Sequence, residues 1–166
     1  MDEIDDKIIN RLYFLLPFVF SFHNFEEVLG MEAWSKKLPL PIHPVVTTKQ
    51  FAVGAVLITV IGFLITFSKS FFKSKKSYNF LMTAFAGMIF LNVFLPHLLA
   101  TIVFGGYAPG VVTALLINLP LTLYISLVNI KSGNLTLKQT ISFILYGGLV
   151  GVPLAFLLLK IGEILS

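Results

Sequence analysis

The sequence predicts an all-α, polytopic membrane helix bundle of about five transmembrane helices, and three observations predict it. Of 166 residues, 57% are apolar and 12% charged, where soluble domains run at about 45–50% and about 25%. Mean hydropathy is +0.92. The charges fall in short clusters that leave uncharged stretches of 19 (50–68), 54 (77–130) and 21 (139–159) residues. A helix crosses the hydrocarbon core in about 20 apolar residues, and in lipid the backbone must pair within its own segment. A soluble globular enzyme is thereby excluded. With no cysteine, disulfides, thiolate metal sites and cysteine nucleophiles are excluded too.

The elements follow in order. The first span is 8–29, apolar from Ile8 to Leu29 apart from Asn10-Arg11 near its start and one polar cluster, Ser21 to Glu27. Its leader MDEIDDK is acidic where a signal peptide is basic, and an acid pair stands where small residues would mark cleavage, so the span is expected to be retained. The second is 50–68. The 54-residue stretch is too long for one crossing and breaks at Gly105-Gly106-Tyr107-Ala108-Pro109-Gly110, a strong turn signal, giving spans 78–104 and 109–130. The fifth is 139–161. Neither a repeat nor a second domain is visible, so 1–166 reads as one transmembrane domain. Pro17, Pro96, Pro120 and Pro153 lie inside spans, where each is expected to free a carbonyl one turn earlier and bend its helix.

Lysine and arginine set the orientation. One side holds Lys7, Arg11, Lys69, Lys73, Lys75, Lys76, Lys131 and Lys138; the other holds Lys36, Lys37, Lys49 and Lys160. The N-terminus is therefore expected in the cytoplasm of a multi-pass cell-membrane protein. The net charge of +4 is spent on this asymmetry, which leaves membrane lipid, not nucleic acid, as the partner. Trp34 and Tyr107 read as interfacial anchors.

The costly residues lie near the outer face. Glu26 and Glu27 are the acids of the first span, and an acid at mid-bilayer costs about 2.5–3.5 kcal/mol on insertion scales. On a helix they flank His23, about 60° to one side and about 40° to the other. Imidazole and carboxylate are ligands that zinc or iron accept. His97, directly after Pro96, provides a depth test. At 1.5 Å per residue, His23 and His97 lie about 22 and 28 Å from the inner face. His43 falls in the outer loop on the same side. Asn92 is five residues before His97 and shares its face only if Pro96 distorts the turn. Asn118 is placed to orient a ligand from behind, while Tyr107 and Thr113 flank the turn and could close the site from above.

These residues resemble the HXXEE family of small bacterial and archaeal membrane proteins. The resemblance rests on His23-Asn24-Phe25-Glu26-Glu27, Asn92, His97 and the Tyr107–Thr113 segment, over roughly residues 10–120. It implies a multi-helix membrane protein with metal-dependent enzymatic activity and no assigned reaction. The intramembrane prenyl-protease family also pairs adjacent glutamates with helix-borne histidines. Here, however, Val28-Leu29-Gly30-Met31 replaces its basic residue, His97 follows Phe94 by three positions instead of four, and no third intramembrane histidine appears.

The expected function is a metal-dependent membrane enzyme. His23, His97 and one of Glu26 or Glu27 (Glu27 in the favoured assignment) would ligate a divalent metal, zinc ahead of iron, and the other glutamate would serve as general base. Hydrolysis of a lipid-like or small amphipathic substrate suits such a site. The alternative is a proton- or cation-handling transport or binding protein using the same cluster. Polar positions hardly continue inward past Asn118 apart from small Ser and Thr, which favours a one-sided site.

Overall fold

The computed structural model describes residues 3–38 and 45–166; His43 lies outside them. Among the described residues the chain is helical with no strand. Five helices emerge: α1 (Glu3–Ser35), α2 (Thr48–Phe67), α3 (Lys75–Val103), α4 (Val111–Lys131) and α5 (Leu137–Leu165). Each corresponds to one predicted span: α2, α3 and α4 agree with theirs to within three residues at either end, and α1 and α5 outrun theirs at both ends. The caps explain where they start. Thr47 and Thr136 each close a capping box with Gln50 and Gln139, and Ser74 accepts from the Ser77 N–H at the start of α3, satisfying amides that the helix itself leaves unpaired.

Helices α2 to α5 are long and apolar enough to cross a membrane. Helix α1 is long enough but carries the polar cluster within its apolar run. Large apolar side chains line the outside of the bundle, among them Phe22, Leu64, Leu116, Leu149 and Phe156. Such a surface would aggregate in water and suits lipid. The bundle is that of a polytopic membrane protein.

Around the bundle the helices follow the order α1, α2, α5, α3, α4 and back to α1. The tightest seam joins α3 to α5, where Gly147 lets the α5 backbone approach the Ala84 carbonyl. Small residues at such a seam admit the close approach that drives helix association in lipid. The core lies inside the ring and joins Ile9, Tyr13, Leu16 and Phe20 of α1 to Met82, Phe85 and Ile89 of α3 and Ile125 of α4.

The prolines behave differently from one another. Helices α1 and α5 run on through Pro17 and Pro153. At Pro96 the helix widens into a π-type turn over Val93–Leu98, and Leu95 leaves helical geometry altogether (φ −128°, ψ 104°). A second π-type turn, Ala114–Asn118, precedes Pro120 in α4. Both wide turns border the same space.

The expectation that polarity fades inward needs correction. Tyr13 bridges α3 and α4, its hydroxyl 3.4 Å from Thr83 Oγ1 and accepting from Asn129 Nδ2 at 2.9 Å; Asn79 is also buried. A lone Asn129 in an apolar run gave no sequence signal of this second polar layer. Between it and the histidines stand Leu16, Phe20, Phe85 and Ile89, all buried.

Candidate metal centre

The site forms where α1, the wide turn of α3 and the start of α4 meet. His23 and Glu27 stand one turn apart on α1, so their side chains share a face. His97 comes from the Pro96 turn, and its ring centroid lies 4.6 Å from that of His23 at 87°. The depth agreement read from the sequence is thus a direct contact. Glu27 Oε1 is 3.3 Å from His97 Nε2 and 3.8 Å from His23 Nε2. His23, Glu27 and His97 each offer one ligand atom, all within 4.8 Å of one another. Both histidines are buried, at 0% and 2% exposure, and the Glu27 side chain is 13% exposed. Of the three, the carboxylate is the most exposed.

Asn92 reaches both rings. Its Nδ2 lies 2.9 Å from His23 Nε2 and 2.9 Å from His97 Nε2. An ideal helix would turn Asn92 away from His97; the break in the helix at Leu95 brings them together. An amide NH₂ has two hydrogens and no lone pair to offer, so both Nε2 atoms face it as acceptors. Each ring then carries its proton on Nδ1.

Glu26 is held elsewhere. Its Oε1 accepts from the Tyr107 hydroxyl at 2.8 Å and the Val112 N–H at 3.3 Å. Its Oε2 accepts from the Thr113 N–H at 2.8 Å and the Thr113 hydroxyl at 2.6 Å. These amides belong to the first turn of α4, which has no partners of its own and favours negative charge. The acid pair is thus divided: Glu27 joins the histidines, and Glu26 caps a neighbouring helix. Burial first, and then the bond to Glu26, pushes the Tyr107 hydroxyl up to about 12, so it stays protonated as a donor.

Gly110 seals the site from the turn. Its φ is +87°, and a Cβ there would lie 2.6 Å from His97 Cε1 and 2.9 Å from both Glu27 Cγ and His23 Cε1. The sequence marked this glycine only as part of a turn; a glycine one residue before a helix is weak evidence of contact with a site. Asn118 does not join the cluster. It is fully buried on α4, and neither of its side-chain polar atoms makes a hydrogen bond.

A protein family described as "Protein of unknown function with HXXEE motif" matches residues 14–125. The chain belongs to the HXXEE family. All of the residues just described lie inside the matched segment, which ends within α4 and leaves α5 outside it. This HXXEE chain is also 29% identical over 157 residues to the "Uncharacterized protein YrkK" of Bacillus subtilis (strain 168), covering 93% of this chain and 99% of that protein. No solved structure matches.

Proposed function

We propose that this HXXEE protein is a metal-dependent membrane enzyme that hydrolyses a lipid-like or small amphipathic substrate. The observation that supports it most is convergence: two Nε2 lone pairs and Glu27 Oε1, drawn from two helices, face one small buried space. Two imidazoles and one carboxylate are a catalytic zinc set with a place left for water; the same set suits non-haem iron second. Glu26, held by four donors, is poorly placed to take a proton. In this reading Glu27 both ligates and, through its other oxygen, receives the proton. Asn92 and Tyr107 position and shield. The site lies toward the outer face, with the N-terminus in the cytoplasm.

A second reading has its own support. Asn92 satisfies both rings without any ion, as a proton-handling or cation-binding site would require between turnovers. Against it stands the apolar layer of Leu16, Phe20, Phe85 and Ile89, which separates the histidines from the inner polar layer and interrupts a through-path.

Elemental analysis of detergent-purified protein, made without chelator or nickel resin, separates the two. The enzyme reading expects about one zinc or iron per chain, lost in His23→Ala, His97→Ala and Glu27→Gln, with each variant still inserting in the membrane. A parent that takes up neither metal after reconstitution refutes it and leaves the proton-handling reading, to be measured as flux in proteoliposomes.

A further inference from the structure

Thr113 stands at the junction of Glu26 and His23, and its hydroxyl has one hydrogen to give. That hydrogen has two acceptors in range, Glu26 Oε2 at 2.6 Å and the Gly110 carbonyl at 3.2 Å. The shorter bond, to a carboxylate, is the stronger. The hydroxyl oxygen is then free only to accept, and its remaining neighbour is His23 Nδ1 at 2.9 Å. Nδ1 must carry the proton. Asn92 reaches the same conclusion from the opposite side of the ring, because its NH₂ at 2.9 Å requires a lone pair on Nε2. Two independent donor counts agree on one tautomer.

We infer that Thr113 is a positioning residue: it relays the fixed charge of Glu26 to His23 and holds that ring with Nδ1 protonated and the Nε2 lone pair turned toward Glu27 and His97. This rests on the metal reading for its consequence and not for its geometry. Metal-binding histidines characteristically donate their second nitrogen to a carboxylate or carbonyl, which fixes ring orientation and raises ligand basicity. Here a threonine is interposed between imidazole and carboxylate. The arrangement also gives the second acid of the HXXEE motif a task distinct from the first: Glu27 enters the shared space, and Glu26 orients a ligand from another helix while capping α4.

The test uses the full chain in detergent, labelled with ¹⁵N-histidine, in Thr113→Ser, Thr113→Val and the parent, with the His23 signals assigned by their loss in His23→Ala. In metal-free parent and Thr113→Ser, His23 is expected to show a protonated Nδ1 and an unprotonated Nε2. Thr113→Val, which keeps the shape and removes the hydroxyl, is expected to keep this tautomer, which Asn92 still requires, but to lose the hydrogen bond at Nδ1, read as a shifted Nδ1 signal. Zinc affinity is expected to fall about 10- to 100-fold in Thr113→Val and to return in Thr113→Ser. A parent His23 protonated on Nε2 overturns the inference, as does a Thr113→Val protein with parental Nδ1 signal and parental affinity. Should Thr113→Val not fold, Thr113→Ala replaces it and the parent spectrum still decides the tautomer. Because that spectrum is read without metal, a parent with the expected tautomer and no zinc uptake refutes the metal reading and leaves the relay standing.

Discussion

Gly110 brings the backbone of the α3–α4 turn against the three side chains of the cluster, and two of its properties are used at once. Its left-handed φ of +87° costs an L-residue about 1–2 kcal/mol, and its missing Cβ leaves room for both imidazoles and the Glu27 stem. Gly110→Ala is therefore expected to lose that backbone energy, measured as a lower thermal midpoint in detergent, and also to displace His97, whose Cε1 would be only 2.6 Å from the new methyl. Metal content should fall with stability. By contrast, Gly106→Ala, a few residues earlier with open space around it, should match the parent in both. If Gly110→Ala keeps full metal content, the turn is not a wall of the site.

The helices were legible because charge is scarce: gaps between lysines bound α2 and α5 to within a few residues and mark the start of α3 and the end of α4, and the Gly-rich turn divides α3 from α4. The cluster was legible because acids and histidines are expensive in lipid, so His23, Glu27 and His97 stood out. The two glutamates could not be told apart from spacing alone, since both lie within reach of the His23 face; the difference comes from α4, whose free amides claim Glu26. Tyr13 and Asn129 were not legible, because a single tyrosine or asparagine is cheap enough to pass as background. The α3–α5 seam was hidden for a related reason, as a glycine in an apolar run does not announce its neighbour. That seam makes its own prediction. A methyl at Gly147 would collide with the Ala84 carbonyl, which is backbone and cannot yield as a side chain would. Gly147→Ala is expected to destabilise the bundle by about 1–3 kcal/mol, the usual range for overpacking, with Gly148→Ala milder because it meets only the end of Leu91. Thermal unfolding in one detergent compares them, and equal midpoints would mean that α5 does not pack as described.

The two ends of the bundle are chemically distinct, and the ties between helices follow the division read from lysine and arginine. At one end Lys69 donates to Asn10 of α1 at 2.9 Å, joining residues assigned to the same side. At the other, Lys49 donates to the Ser166 carbonyl at 3.1 Å, and Lys36 pairs with Glu32 at 2.6 Å. Glu32 also accepts from Thr48; its bonds to Lys36 and then Thr48 hold its carboxyl down at about 2, so this tie persists across the physiological range. No contact crosses the assignment among these pairs. The end with Lys69, Lys73, Lys75 and Lys76 carries eight of the twelve basic residues, and the orientation proposed from the positive-inside rule would set it on the cytoplasmic side. The chain has no cysteine, so single cysteines report position without background. A cysteine replacing Lys37 is expected to react with an impermeant maleimide in intact cells, and one replacing Lys75 only after permeabilisation. The reverse pattern would invert the protein and turn the His23–Glu27–His97 site toward the cytoplasmic leaflet. Its substrate would then have to arrive from inside the cell, while the ligand geometry, which depends only on contacts within the bundle, would be unchanged.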